Sequence, residues 1–164
     1  MARVGALRFK RAGDAIFEAP STSRSPTLTD LRSLFSITER VLRDEETDAD
    51  LQLVLAPGSS LGGARPKASV IDAQGQLAIA KFPIETDDYA VERWECIAMG
   101  LARRAGIATP QVELLRIANK PVLLSRRFDR TGPTRIPFLS ALSMLGLSDG
   151  QRSCLLYTSP SPRD

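Results

Sequence analysis

The residues best placed to do chemistry fall between Pro57 and Lys81. Pro57 to Lys67 reads PGSSLGGARPK, a turn-forming stretch with three glycines and two serines. Lys67 closes it, and Lys81 ends the hairpin that follows. Glycine accepts a left-handed backbone and lets the main chain approach a ligand closely. Successive N–H groups in such a loop can form a concave anion site. Lysines at both ends of the unit could neutralise a phosphate. The same composition also suits a solvated Gly/Ser loop flanked by surface lysines, and the loop alone leaves both open. The standard nucleotide motifs are absent: Ala64 follows Gly63 where a Walker A loop needs Lys, and no GxGxxG pattern occurs.

The chain has 164 residues and no histidine. A Ser-His-Asp triad, a Cys-His dyad and histidine metal sites are therefore excluded for it. Cys96 and Cys154 are too few and too far apart for an all-cysteine zinc site, and suit a reducing compartment. Catalysis is left to Lys, Arg, Asp, Glu, Ser and backbone groups. That favours phosphoryl transfer, where positioning and charge neutralisation dominate. The net charge of +3 comes from scattered basic residues, a weak case for nucleic-acid binding. No apolar run approaches the roughly 20 residues that span a bilayer, and the N-terminus has no apolar signal region.

These residues need elements to position them. Val4–Phe9 and Ala15–Ala19 flank a turn at Ala12-Gly13-Asp14 and are expected to pair as a hairpin. After a Ser/Thr/Pro-rich loop, Thr27 or Thr29 can cap a helix whose face is Leu31, Leu34, Phe35, Ile37, Val41 and Leu42. Ala68–Asp72 and Leu77–Phe82 read as two strands joined at Gly75. Lys81 then sits among apolar neighbours, either snorkelling or held inward. The strongest helix is expected over Asp88–Ala105, with a buried stripe of Val91, Trp94, Ala98, Leu101 and Ala102, and Glu95 on its flank. Glu95 is open to a plain surface role. Gly106 should stop that helix. Gln111–Ile117 and Pro121–Phe128 form a second hairpin, Asp129–Pro133 breaks the pattern, and Ala141–Gly146 opens a further helix. Hairpins imply antiparallel sheet, so the expected fold class is α+β.

Glycine loop, strand lysine, helix glutamate and returning hairpin follow the order of a protein-kinase small lobe. The segments Ser59–Ala68, Ala80-Lys81-Phe82-Pro83, Trp94-Glu95, Ala105-Gly106-Ile107 with Pro110, and Arg127-Phe128-Asp129-Arg130 resemble the HipA family. These are bacterial serine/threonine kinases that act as toxins of toxin–antitoxin systems. The likeness runs from about Val4 to Gly150.

The resemblance implies a kinase-like small lobe of antiparallel sheet and helices, which hands the γ-phosphate of ATP to a protein with Mg²⁺ as cofactor. Family targets include aminoacyl-tRNA synthetases. Residues 1–55 would supply the N-terminal hairpin and helices, and residues 56–153 the loop, strands, helix and interlobe hinge. Gly62, Gly63, Ala64 and Lys67 would cover the phosphates. Lys81 would contact them, and Glu95 would orient Lys81. Arg126 and Phe128, with Arg127, would place the hinge backbone at adenine. Ser60 matches a loop serine that autophosphorylates and switches the kinase off; a second phosphate there would repel that of ATP.

The family's large helical lobe, with its catalytic and Mg²⁺-binding aspartates, is expected to be missing, leaving this chain inactive and without a metal site. Residues 154–164 (CLLYTSPSPRD) resemble translated sequencing-adapter sequence and are expected to be a non-native tail. Implied partners are ATP, a protein substrate and a HipB-like helix-turn-helix antitoxin. DNA would be reached only through that antitoxin, no membrane is involved, and the setting is cytoplasmic. The alternatives are another ATP-dependent enzyme of the kinase fold, or a non-enzymatic antitoxin-binding module.

Overall fold

The structure is a computed structural model and describes residues 5–17, 26–50 and 65–148. Ser60, Gly62, Gly63 and Ala64 lie outside the described residues, as does the expected tail. Strand β1 (Lys67–Ile71) turns into β2 (Leu77–Lys81). Asp72 sets that turn: its Oδ1 accepts the amides of Gln74 at 2.9 Å and Gln76 at 2.7 Å, while Gly75 takes φ +75°. Strands β3 (Val112–Ile117) and β4 (Lys120–Arg126) form the second hairpin. Its two-residue loop holds Ala118 at φ +47° and Asn119 at φ +63°, the backbone twist that matches paired strands. The four strands run in the order β1-β2-β4-β3, every pair antiparallel. With the helices this makes the fold α+β.

Alternation along the strands gives the sheet two faces. Ala68, Val70, Ala78, Ala80, Val122 and Leu124 share one face and pack on helix α1 (Leu31–Leu42) through Leu31, Leu34 and Phe35. Phe82, fully buried just past β2, lies with its ring centroid 5.9 Å from that of Phe35. Of the expected α1 stripe, Leu31, Leu34 and Phe35 make the core contact and Ile37 is buried, whereas Val41 is half-buried and Leu42 exposed. Ahead of α1, Thr27 bridges Ile71 in parallel and Pro26 O accepts the Ile71 amide at 2.8 Å. Among the described residues, that covers part of the β1 edge of the sheet.

Helix α2 (Val91–Arg104) forms where expected and stops at Gly106, φ +80°. Its buried stripe is not the expected one. Trp94 is 61% and Leu101 58% exposed, whereas Glu92 is 1% exposed. The half-buried positions Glu95, Cys96, Met99 and Ala102 continue the Glu92 face. Charge pairing accounts for the reversal: Arg65 meets the buried Glu92 through its Oε1 and Lys81 meets the half-buried Glu95, and the apolar stripe is left outside.

Two further expectations fail. Residues 5–17 form turns with no strand among them. Gly5 is instead held by distant side chains, its amide donating to Asp129 Oδ2 at 2.6 Å. Where the pattern was expected to break, β5 (Arg130–Thr131) pairs with β6 (Thr134–Arg135). A single-turn helix α3 (Ala141–Met144) follows, with the Ser140 hydroxyl accepting the Ser143 amide at 3.1 Å. Among the described residues no helix is long and apolar enough to cross a membrane.

Candidate nucleotide site

Lys81 is the last residue of β2 and lies opposite Lys67 on β1 and Leu123 on β4. Alternation turns all three away from the α1 core. Lys81 Nζ is ion-paired with Glu95 Oε1 of α2, and both side chains are about one-third exposed or less, 32% and 27%. Burial, then the nearby Lys81 charge, pulls the Lys67 ammonium below its usual range. The structure therefore brings Lys67, Lys81 and Glu95 together. Two lysines and one carboxylate meet at one end of the sheet, and lysine ammonium groups are suited to an anionic ligand.

A second ionic group fixes the chain on either side of this spot. Arg65 binds Asp87 through two hydrogen bonds, Nη1–Oδ1 at 2.7 Å and Nη2–Oδ2 at 2.6 Å. Its Nη2 also reaches Glu92 Oε1 at 3.0 Å. Such fork geometry combines charge with direction. It holds the Asp87 carboxyl down at about 2 and raises Arg65 above its usual value. Asp87 also accepts the Ile84 amide at 2.9 Å. Arg65 directly precedes Pro66-Lys67, so the run into β1 is clamped to the entry of α2. This clamp is not legible in the sequence beyond the acidic pair Asp87-Asp88 before the helix.

The residues expected at the hinge divide. Arg126 donates to Asp72 Oδ2 through Nε at 3.1 Å and Nη2 at 2.9 Å, and to Gln74 Oε1 at 3.0 Å. It ties the β1–β2 turn to the end of β4. The Arg126 and Arg127 amides are committed to Gln111 O at 2.8 Å and Leu77 O at 3.0 Å. Arg127 is buried and its guanidinium grips Asp129, Nε–Oδ1 2.7 Å and Nη2–Oδ2 2.5 Å. Phe128 is 62% exposed and edge-on to Phe138, ring centroids 4.8 Å apart. A cleft of about 500 Å³ opens beside it, lined by residues 108–111 and 126–128.

The model of the HipA-like C-terminal domain family matches residues 59–158, more than half of the chain. The chain belongs to this family. No curated protein and no solved structure matches it. The HipA-like match takes in Ser60, Gly62, Gly63 and Ala64, and extends to residue 158, within the stretch expected to be a tail. It also spans Lys67, Lys81, Glu95, Arg126 and Phe128. In this HipA-like domain Lys67, Lys81 and Glu95 form one cluster, whereas Arg126 and Phe128 stand at the far end of β4.

Proposed function

We propose that this HipA-like domain is the nucleotide-binding part of a serine/threonine protein kinase. The Lys81–Glu95 ion pair carries the proposal: a strand lysine paired with a helix carboxylate is the arrangement that positions a cation against nucleotide phosphates. ATP supplies a transferable γ-phosphoryl group when bound. Lys81 neutralises phosphate oxygens, Glu95 holds its ammonium in place, and Lys67 adds a second cation from β1. Gly62, Gly63 and Ala64 offer backbone N–H groups, with Ser60 as a regulatory acceptor in the same loop. The cleft beside Phe128 is the place for a purine, stacked on the exposed ring. Among the described residues no group of three or more Cys, Asp or Glu is gathered to hold a metal ion, so no step is assigned to Mg²⁺. The acceptor is a protein hydroxyl, and the setting is cytoplasmic.

The test is calorimetric titration of ATP into the full chain. Wild type should bind. Lys81→Ala should weaken binding about tenfold, as expected for loss of one charge-assisted contact, and Glu95→Gln should weaken it less. A chain that binds no nucleotide, or binds equally well without Lys81, refutes the proposal. The exposed α2 stripe of Trp94, Ile97 and Leu101 favours a second reading, a module that docks a helix-turn-helix antitoxin. Loss of antitoxin pull-down in Trp94→Ala, with ATP binding intact, would support it.

A further inference from the structure

Arg65 joins three parts of the chain that converge on Lys81. It directly precedes Pro66, whose carbonyl accepts the Phe82 amide at 3.1 Å, one residue past Lys81. Its two-pronged grip on Asp87 fixes the link that runs from the end of β2 to α2. Its third contact, to Glu92 Oε1, reaches α2 itself. Glu92 and Glu95 are three residues apart and so lie on one face of the helix. Whatever sets the rotation of α2 at Glu92 therefore also sets the place of Glu95, the partner of Lys81.

Arg65 makes this rotation tolerable. The Glu92 side chain is buried and ion-paired with Arg65, and its Oε2 has no hydrogen-bond partner among the described residues. A buried carboxylate deprived of its cation is strongly unfavourable. The opposite face of α2 is apolar and exposed at Trp94, Ile97 and Leu101, and burying such surface is favourable. Without Arg65 both effects turn α2 the same way: Glu92 toward water and Trp94 toward the sheet, with Glu95 carried away from Lys81.

We propose that Arg65 is a positioning residue for the phosphate site. By holding Asp87 and Glu92 it keeps Glu95 against Lys81, and so presets the Lys81 ammonium for phosphate oxygens. It acts through these groups and needs no contact with the ligand. The proposal rests on the nucleotide-binding reading of this site.

The experiment is a double-mutant cycle on the full chain, with ATP affinity measured by calorimetry and Trp94 emission read in parallel. Arg65→Gln should weaken ATP binding about tenfold in the wild-type background, but about twofold or less in Lys81→Ala, because it acts through that lysine. Trp94 is the sole tryptophan, and its emission should move to shorter wavelength in Arg65→Gln. If Arg65→Gln does not fold, the double variant Arg65→Gln with Glu92→Gln leaves no unpaired charge at position 92; it should still bind ATP about tenfold more weakly than wild type, and unchanged affinity in it overturns the inference. Wild type that binds ATP while Arg65→Gln binds it equally well overturns this inference and leaves the nucleotide reading standing; wild type that binds no ATP removes both. Losses that add in the cycle, or an unmoved Trp94 emission, also overturn it.

Discussion

Lys67 and Lys81 stand directly across the β1–β2 pair from each other, two like charges on neighbouring strands. Such juxtaposition costs about 0.2–1 kcal/mol, and the burial of Lys67 adds to it. Its native ammonium is below the usual range, so the unfolded chain binds more protons in the window between the two values. Stability contributed at Lys67 therefore improves as pH rises toward about 10.4, the ordinary lysine value. The melting temperature of wild type should gain on that of Lys67→Met across this alkaline range. A difference that stays constant with pH would contradict the repulsion.

The Arg65 clamp should show in acid. Asp87 is held at about 2 by its hydrogen bonds from Arg65. A carboxyl lowered in the native state contributes stability above its unfolded value, about 3.9, and loses it as pH falls toward the native one. Wild type should thus lose stability between about pH 4 and 2, and Asp87→Asn should show a shallower acid limb. Circular dichroism melts across this range measure it. Parallel curves for the two proteins would remove Asp87 from the explanation.

Asp129 is 2% exposed and receives donors from Arg127, Arg130 and Gly5. Removing one partner of a buried ionic group leaves charge uncompensated, at about 3–5 kcal/mol. Asp129→Ala should lose stability on that scale in urea unfolding, and residues near Gly5 should gain amide exchange. A loss below about 1 kcal/mol, typical of exposed pairs, would show that the network is not rigid in solution.

Ala118 sits at φ +47° in the β3–β4 turn. A left-handed backbone costs an L-residue about 1–2 kcal/mol, which glycine avoids at some entropic expense. Ala118→Gly should therefore stabilise the domain by about 1 kcal/mol or less, seen as a higher urea midpoint. A lower midpoint would mean that the methyl group makes a favourable contact.

Local pattern was a sound guide where burial is apolar. The Leu31, Leu34, Phe35 and Ile37 spacing located α1 and its core face, and alternation located both hairpins within a residue or two. The same logic failed on α2, where the periodic stripe through Trp94 and Leu101 points outward. Hydrophobic periodicity finds the inner face only when no ionic contact competes. Here Arg65 with Glu92, and Lys81 with Glu95, drew the other face inward. The Gly5–Asp129 bond joins residues 124 positions apart, and no local pattern reports a contact of that range.

The amino-acid sequence by itself determined the chemistry available. Without histidine, charged nitrogen comes from lysine and arginine, and Lys67, Lys81 and Glu95 are set at fixed intervals on two strands and a helix. Their meeting was decided by tertiary structure. Antiparallel register placed Lys67 against Lys81, and the rotation of α2 brought Glu95 to Lys81 rather than to solvent. Side-chain period acts over a few residues. Charge pairing between elements acts through space, so it appears only once the sheet and helix have packed together.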